Sequence, residues 1–368
     1  GNKSYDKDVY KTCGELYSKF NNLLSRFTGI MYGGCFFSTN KLIDIIKREK
    51  PDIVHLHCIN GYFVNVYRII KWLNNNNVST VLTLHAEFMY TANCGYALNC
   101  EKWKTGCGSC PRWRQETKSL FADRTASSWK RMKKAFGGFE NLWIVSVSPW
   151  LKERASRSPF FSDKQHCVIF NGMDTCVFHP YDKKPLQRMF HCMNKQVVFH
   201  ATADFSTDVN HLKGGYYVLE LAKKNPDIQF FIAGNCREKV EWPKNVSFLD
   251  KISDQKLLAQ FYSMADVTLL TSKRETFSMI CAESLCCGTP VVGFKAGAPE
   301  QIALPEYSLF VEQGNILKLQ KALLWICNQN ISKQEVALKA SIAYTKKAMI
   351  EKYTKLYHAI HFQRGIEE

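Results

Sequence analysis

The feature that most constrains this chain is a repeated alternation of short apolar runs with longer, helix-like segments. The apolar runs of strand length lie at 52–57 (DIVHLH), 79–85 (STVLTLH), 143–148 (WIVSVS) and 166–172 (HCVIFNG). The helix-like segments of this half are 65–74, 129–136 and 149–157, after a more polar start with weak helical patterning at 12–27. Strands that alternate with helices predict a parallel sheet covered by helices on both faces.

A polar segment bounded by prolines, 180–185 (PYDKKP), interrupts the alternation and predicts a linker. Beyond it, further strands are predicted at 197–203, 228–234, 246–249, 266–271, 290–294 and 308–311. The helices predicted among them are 214–223, 254–265, 277–286, 315–328 and 335–360. We therefore predict two doubly wound α/β domains, whose ligands bind beyond the carboxyl ends of the strands, in the cleft between the sheets.

Composition excludes several classes of protein. Of the 368 residues, 46% are hydrophobic and 13% are aromatic, which excludes a disordered chain. Lys and Arg number 49 against 33 Asp and Glu, and this net charge of +16 favours nucleotides, phospholipid surfaces or nucleic acid as partners. No apolar run of about 18 residues occurs, so no membrane-spanning helix is predicted. The 15 cysteines mostly stand singly in apolar runs, which favours free thiols in a reducing cytoplasm.

The segment richest in chemistry is 272–294 (SKRETFSMICAESLCCGTPVVGF). Glu275 follows a predicted strand, and a helix predicted to begin at 276–278 carries Glu283 about 12 Å further along its axis. Two glutamates at this spacing also occur by chance in many chains. Here, however, a helix N-terminus lies between them, and such a terminus binds phosphate. A nucleoside diphosphate sugar has hydroxyls at both ends and a pyrophosphate in the middle, and this layout fits it.

These residues resemble a known signature. Glu275, Glu283 and the following turn at 288–290 are similar to the Glu-x7-Glu passage of retaining glycosyltransferase family 4, whose fold is GT-B. Other passages that match in order and spacing are 171–174 (NGMD), 178–180 (FHP), 213–215 (KGG), 297–300 (GAPE) and the C-terminal stretch 344–361. Segments 51–58 and 83–88 resemble the branch of the family that makes capsular, O-antigen or colanic-acid-like polysaccharides.

The resemblance implies a domain organisation. It implies two Rossmann-like domains facing across a cleft: an acceptor-side domain at 1–180 and a donor-binding domain at 181–345. It also implies that a C-terminal helix, 346–368, crosses back to complete the first domain. The family's first strand, Gly-rich loop and first helix have no counterpart ahead of residue 1, so we expect one strand-loop-helix unit of about 40 residues to be missing by truncation or disorder.

The resemblance further implies an activity. The chain would transfer a sugar, with retention and without a metal cofactor, from a UDP- or GDP-type donor to a saccharide or lipid-linked acceptor in surface polysaccharide biosynthesis. In this family Lys213 would neutralise the donor diphosphate, Glu275 would orient the sugar, and His85 would face the sugar and acceptor. The residues implied in donor binding are Glu283, Thr276, Phe277, Ser278, Met279, Gly214 and Arg274. Ala86 stands where the polysaccharide branch usually has Asp.

A cluster of cysteines follows the predicted strand that ends at His85. The cluster consists of Cys94, Cys100, Cys107 and Cys110. Four thiolates at this spacing could form a closed structural zinc site. Disulfides and reduced packing cysteines are the alternatives, and the spacing leaves all three open.

Residues 102–157 are basic and rich in aromatic side chains. Thirteen Lys and Arg face four Asp and Glu there. The interleaved aromatic residues are Trp103, Trp113, Phe121, Trp129, Phe136 and Trp150. Such a surface can lie on anionic lipid head groups, which suits a lipid-linked acceptor at the inner face of a cell membrane. The alternative is a solvated helix face over ordinary core aromatics.

Two other functions compete with sugar transfer. The four cysteines, the net charge and the aromatic residues would also suit a nucleic-acid-binding module. That reading leaves Glu275 and Glu283 unexplained, and we expect no nucleic-acid partner. A degenerate, inactive transferase acting as a scaffold is the second alternative, because Ala86 replaces an acid and the expected first strand is missing.

Overall fold

The computed structural model describes residues 8–367, which divide into two compact units. Unit 1 contains the described residues up to Val147, Leu151–Val168 and those from Lys355 onward. Unit 2 contains Ser148–Trp150 and Ile169–Thr354. Each unit has its own parallel sheet.

The sheet of unit 1 has four strands in the order β1-β2-β3-β4. They are β1 (Val54–His57), β2 (Thr80–Leu84), β3 (Leu142–Ser146) and β4 (Gln165–Val168). All residues of β2 and β3 are buried. Burial on both sides of the sheet explains why these strands read as continuous apolar runs rather than as alternating ones.

The helices of unit 1 surround this sheet. They are α1 (Glu15–Thr28), α2 (Phe36–Glu49), α3 (Val66–Asn75), α4 (Phe88–Thr91), α5 (Trp113–Thr117), α6 (Thr125–Phe136) and, from Leu151 on, α7 (Pro149–Ser156). Helix α3 shows how sequence sets an element here. Asn65 caps it by accepting the Arg68 N–H at 3.0 Å. Its buried face is the apolar stripe of Val66, Ile69, Ile70 and Leu73.

The sheet of unit 2 has six strands in the order β10-β9-β8-β5-β6-β7. They are β5 (Val197–Phe205), β6 (Gln229–Cys236), β7 (Val246–Leu249), β8 (Val267–Leu270), β9 (Val291–Phe294) and β10 (Ser308–Val311). The order reverses between β5 and β8, which are direct neighbours. In doubly wound sheets this reversal is the topological switch point, and ligands bind at its carboxyl end.

The helices of unit 2 cover both faces of its sheet. They are α8 (Lys184–Met189), α9 (Gly215–Lys224), α10 (Gln255–Met264), α11 (Met279–Cys286), α12 (Pro299–Ile302), α13 (Ile316–Cys327), α14 (Lys333–Tyr344) and the first part of α15 (Lys346–Glu367). One core packs α9 and α13 on the sheet through Leu219, Phe230, Val292 and Leu323. Every predicted strand overlaps an observed one, and the α/β fold class is confirmed.

The long C-terminal helix differs from its prediction. The pattern at 335–360 predicts one helix, but α14 ends at Tyr344 and α15 begins at Lys346, with Thr345 extended at ψ 149°. Met173 causes the break, because its backbone bridges Thr345 and its carbonyl accepts the Lys346 N–H at 3.1 Å. The periodicity of residues 335–360 could not predict the break, because Met173 is far away in the sequence.

The observed boundary between the units lies near residue 168, whereas the sequence placed it at 180. Residues 169–180 pack with unit 2, where the Phe170 ring lies 5.7 Å from Phe277 and 6.1 Å from Tyr344. The predicted linker at 180–185 already contains the start of α8. At the C-terminus, residues 346–354 belong to unit 2, and the return to unit 1 begins at Lys355. The Asp174 carboxylate and the Lys346 ammonium are 2.6 Å apart, and this ion pair helps to hold the start of α15 on unit 2.

Within residues 8–367, none of the helices combines the length and the apolar character needed to cross a bilayer.

Candidate active site

Two of the predicted catalytic residues meet at the switch point of unit 2. Lys213 lies in the loop after β5, and Glu275 lies in the loop after β8. Their Nζ and Oε1 atoms are 2.7 Å apart. Glu275 is only 8% exposed, and the Lys213 side chain is also largely buried. An ion pair between partly buried groups is screened less by salt than a surface pair, so it holds both side chains in place.

Gly214 fixes the direction of the Lys213 loop. Its φ of +67° is left-handed, and a Cβ added there would lie 2.2 Å from the Thr271 carbonyl oxygen. The Thr271 hydroxyl donates to the Lys213 carbonyl at 3.0 Å. The loop is therefore anchored to the end of β8, and the need for glycine at 214 follows from this close approach.

The backbone around Glu275 is equally constrained. The Glu275 N–H donates to the Ala296 carbonyl at 2.9 Å. The Glu300 carboxylate accepts the N–H groups of Ala296 and Gly297, both at 3.0 Å. Gly297 has a φ of +109°, and a Cβ there would lie 2.6 Å from the Trp150 ring. The passage 297–300 thus positions the backbone that carries Glu275.

Helix α11 begins after this loop, at Met279 rather than at the predicted 276–278. Its N-cap is Ser278, whose hydroxyl accepts the Cys281 N–H at 3.3 Å. The φ of Ser278 is +78°, an uncommon conformation for a residue other than glycine. The N–H groups of a first helical turn have no acceptor within the helix, and they carry the positive end of its dipole.

The other predicted donor-binding residues have different environments. Phe277 is 3% exposed, and Thr276 is buried with its carbonyl accepting the Ser148 hydroxyl at 2.7 Å. Met279 is exposed, and its sulfur accepts the Asn171 amide at 3.7 Å. The Arg274 guanidinium lies 5.0 Å over the Trp150 ring. Phe277 therefore serves packing, whereas Met279 is exposed at the start of α11 and Arg274 is partly buried in the loop.

Glu283 is half-buried on α11 and accepts the Tyr262 hydroxyl at 3.0 Å. Burial raises the pKa of its carboxyl, and the Tyr262 hydrogen bond partly opposes this rise. Tyr262 itself is fully buried in α10. A rigid phenol holds the carboxylate in one orientation, and this contact was not predicted from sequence.

Unit 1 contributes a cluster of three histidines at the carboxyl ends of β1 and β2. His85 Nε2 lies 3.0 Å from His57 Nδ1. His55 contacts the Tyr357 hydroxyl at 2.6 Å and the Thr83 hydroxyl at 2.8 Å. Both ring nitrogens of His55 are therefore held by hydroxyl groups of unit 1. The His57–His85 contact was missed, although the register of adjacent parallel strands, which pairs His57 with Thr83, places both rings at one sheet edge.

Burial sets the protonation of these histidines. It lowers the pKa of His55 to about 4, with the nearby His57 and His85 adding to the effect. Burial also lowers the pKa of His57 and of His85. Beside His85 is a small cavity of about 120 Å³ that Asn60, Ala86 and Met89 help to line. Neutral imidazoles can each donate and accept one hydrogen bond, which suits contact with sugar hydroxyls.

The cysteine cluster does not form a metal site in the structure. Its four thiols are free and partly buried. No group of three or more His, Cys, Asp or Glu side chains in the described part of the chain is arranged to hold a metal ion. Burial raises the pKa of Cys107 to about 11 and also raises that of Cys110, so the thiol form is favoured. The structure shows the four cysteines as partly buried free thiols, and the zinc alternative stays a prediction.

A buried ion pair holds the cysteine loop in place. Glu87 is fully buried and accepts the Arg154 Nε–H and the Ala97 N–H, both at 2.7 Å. The Arg154 guanidinium lies 5.3 Å over the ring of Trp103, which is itself buried. This network joins the loop to α7.

The predicted lipid-facing surface of residues 102–157 is not present as a row of exposed rings. Trp103, Trp129 and Phe136 are buried, whereas Phe121 is 71% exposed. Trp113 and Trp150 are partly buried, so Phe121 is the exposed member of the six predicted aromatic residues.

The model of the family described as glycosyl transferases group 1 matches residues 205–343. Residues 205–343 are a group 1 glycosyltransferase domain. This group 1 domain contains Lys213, Glu275 and Glu283, so the resemblance drawn from them is confirmed.

Curated relatives extend the match beyond the group 1 domain. The putative colanic acid biosynthesis glycosyl transferase WcaC of Escherichia coli is 21% identical over 331 residues, covering 88% of this chain and 80% of the relative. The N-acetyl-alpha-D-glucosaminyl L-malate synthase of Bacillus anthracis is 18% identical over 330 residues, covering 88% of this chain and 77% of the relative. The chain is therefore similar to bacterial glycosyltransferases over most of its length.

Solved structures show the same fold. Sucrose-phosphate synthase of Thermosynechococcus elongatus superposes with a TM-score of 0.63 at 16% identity, over 89% of this chain and 79% of that one. Alr3699/HepE of Anabaena, crystallised with UDP, superposes with a TM-score of 0.64 at 14% identity, over 88% of this chain and 82% of that one. The GT-B fold predicted around the group 1 domain is confirmed.

Proposed function

We propose that this chain is a retaining glycosyltransferase that moves a sugar from a UDP- or GDP-type donor to a saccharide acceptor in surface polysaccharide biosynthesis. The observation that carries the proposal is the meeting of Lys213 and Glu275 at the β5–β8 switch point, beside the N-terminus of α11. The name of WcaC supports the polysaccharide role. The UDP and UDP-glucose complexes of HepE support the class of donor.

The donor diphosphate would bind at Lys213 and at the first amides of α11. Before the donor binds, Glu275 neutralises the Lys213 ammonium at 2.7 Å. An incoming diphosphate competes for that ammonium, and the Glu275 carboxylate then becomes available to accept hydrogen bonds from the sugar hydroxyls. The two members of the ion pair would thus bind different parts of the donor: Lys213 the diphosphate and Glu275 the sugar.

The ribose would bind at Glu283. Its carboxylate is held by the Tyr262 hydroxyl at Oε2, and carboxylate oxygens have further lone pairs that can accept ribose hydroxyls. Carboxylates recognise ribose hydroxyls in other doubly wound nucleotide sites for the same reason.

Retention requires no protein nucleophile in this proposal. The acceptor hydroxyl would attack from the face that the diphosphate leaves, while Lys213 and the α11 dipole stabilise the negative charge that develops on the leaving group. These groups supply the positive charge that the step needs, so we infer no metal requirement. His85 is the residue that we assign to the sugar and acceptor in unit 1.

We further propose that the acceptor is lipid-linked and that the enzyme works in the cytoplasm at the inner face of the cell membrane. Sugar nucleotides are soluble, whereas a growing surface polysaccharide on a lipid carrier is confined to a bilayer. An enzyme that joins the two benefits from binding at the interface.

Binding of sugar nucleotides tests the proposal. We expect one of the UDP- or GDP-sugars to raise the melting temperature, because a ligand at 100 times its Kd adds about 2.7 kcal/mol to the free energy of unfolding. Glu283→Gln should lose this shift, and Glu241→Gln, a change at an exposed glutamate, should retain it. Absence of any shift, together with salt-dependent retention of DNA or RNA, would replace sugar transfer by nucleic-acid binding. A shift without hydrolysis or transfer would indicate the inactive scaffold.

A further inference from the structure

Helix α1 has its apolar face turned outward. Its large apolar side chains recur at helical spacing and are all at least 40% exposed: Leu16, Phe20, Leu23, Leu24 and Phe27. The residues that α1 buries are polar, Asn21 and Ser25. A helix on the surface of a soluble domain normally shows the reverse arrangement.

Polar contacts fix this orientation. The Asn21 side chain accepts the Cys35 N–H at 2.7 Å and donates to the Tyr17 carbonyl at 2.8 Å. The Ser25 hydroxyl donates to the Asn22 carbonyl at 2.7 Å. Of these contacts, the one with Cys35 leaves the helix, and the Ser18 hydroxyl also donates to the Gly61 carbonyl at 3.2 Å. These two contacts hold the polar side of α1 against unit 1, so the apolar side is left on the outside.

A neighbouring loop enlarges the apolar face. The Phe121 ring lies 5.7 Å from the Phe27 ring. The Leu120 N–H donates to the Arg26 carbonyl at 2.8 Å, which ties the loop to the end of α1. Both Leu120 and Phe121 are exposed. We call the five apolar residues of α1 together with these two the α1 face.

The rim of the α1 face is cationic. Arg26, Lys118 and Arg124 are exposed, and none of them forms an ion pair with a carboxylate among the described residues. The nearby acidic groups have other partners, because Glu116 pairs with Arg112 and Asp123 accepts the Cys110 N–H. An apolar centre with a positive rim complements the head groups and upper acyl chains of an anionic bilayer.

We propose that the α1 face docks unit 1 on an anionic phospholipid bilayer, with the apolar side chains of α1 inserted at the level of the head groups. Docking would bring the enzyme to a lipid-linked acceptor, and this purpose is the part of the inference that rests on the proposed function. A second copy of the chain is a less suitable partner for the α1 face than a bilayer. A two-fold contact through this face would bring the same cationic rim from both copies together.

Flotation with lipid vesicles tests the docking. We expect the chain to float with vesicles of phosphatidylcholine containing about one third phosphatidylglycerol, and to float much less with phosphatidylcholine alone. Raising the salt to about 1 M, where the Debye length is about 3 Å, should weaken the binding.

Matched variants distinguish vesicle binding through the α1 face from nonspecific binding through other exposed apolar residues. The triple variant Phe20→Ser, Leu24→Ser, Phe27→Ser should lower vesicle binding by roughly tenfold or more. A control with three exposed apolar residues of unit 2 changed, Leu317→Ser, Leu338→Ser and Ile342→Ser, should bind as the parent does. The double variant Arg26→Glu, Lys118→Glu should abolish the preference for phosphatidylglycerol.

The outcomes distinguish this proposal from the proposed function. The rise in melting temperature with soluble sugar nucleotides should be the same in the parent and the triple variant. A failure of donor binding can therefore be distinguished from a failure of membrane docking. Equal flotation of the parent and the triple variant would overturn the proposal. So would light scattering that shows a dimer in the parent and a monomer in the triple variant, with no flotation of either.

Discussion

At the scale of single residues, the ion pair of Lys213 and Glu275 matters most, because it brings a cation and a carboxylate from two separate loops to one point. The carboxyl ends of neighbouring parallel strands meet at one edge of a sheet, and this explains how residues far apart in sequence come together. The glutamate of this pair lies in the loop that leads from β8 into α11.

The first prediction concerns Lys213. Lys213→Ala should lower kcat for sugar transfer by about 10²–10³-fold, because the leaving diphosphate loses a charged hydrogen-bond donor. The measurement is steady-state turnover with the donor that the melting screen identifies. Lys224→Ala, at an exposed lysine on α9, should leave kcat unchanged. Near-parental turnover of Lys213→Ala would remove this lysine from the chemistry.

A second prediction at this scale concerns the imidazole pair of unit 1. We expect His57→Phe to lower turnover and to shift its pH profile, because His85 loses the hydrogen bond at Nε2 that helps to select its tautomer. His57→Asn, whose amide lies near the position of Nδ1, should restore most of the activity. Identical pH profiles for the parent and both variants would show that His57 has no influence on His85.

At the scale of elements, local sequence was sufficient for the strands but not for the orientation of helices. Buried strands such as β2 are short runs of apolar and β-branched residues, and these can be recognised without knowing their neighbours. Helix α1 also has an apolar stripe, although its helical patterning is weak, and periodicity gives only the existence of a face and not the side on which the protein lies. The contact of the Asn21 side chain with the Cys35 N–H helps to decide this, and Cys35 lies outside the helix.

The candidate site was predictable to a similar degree. Lys213, Glu275 and Glu283 could be found because each follows a strand or lies in a helix with a recognisable signature. The Tyr262 contact and the His57–His85 contact could not, because each joins side chains from separate elements. The zinc prediction for the cysteine loop rested on spacing alone, whereas the fold of that loop depends on Glu87 and Arg154.

The third prediction belongs to the loop that begins α9. Gly214→Ala should destabilise unit 2 by at least about 2 kcal/mol, because alanine is strained in the left-handed region and its Cβ would collide with the Thr271 carbonyl. Chemical denaturation measures the change. Gly95→Ala is the control, since an added Cβ there meets nothing within 4 Å. Equal stability of the two variants would mean that the loop can relax away from β8.

At the scale of the whole molecule, each unit has its own sheet and the chain passes between the units more than once. Unit 1 takes its last segment from Lys355 onward, and Tyr357 of that segment holds His55. The C-terminal end of the chain is therefore part of the environment of the histidine cluster.

The fourth prediction is a dependence of stability on pH. The pKa of His55 is about 4 in the folded chain and about 6.5 when unfolded. The unfolded state therefore binds the proton first, so stability falls as the pH drops from about 6.5 to about 4 and His55 adds no further loss below that. Melting temperatures at pH 7 and pH 5 should differ less for His55→Gln than for the parent. His358→Gln, at an exposed histidine, should keep the parental difference; a parental difference in His55→Gln would contradict the prediction.

Hydrogen exchange of the backbone amides, with and without the sugar nucleotide that stabilises the chain, tests the placement of the donor most directly. We predict slower exchange in two segments of unit 2, 213–217 and 276–281, because the diphosphate would bind beside Lys213 and the first amides of α11. Slower exchange confined to unit 1, or none in these two segments at saturating donor, would contradict a donor site at the β5–β8 switch point.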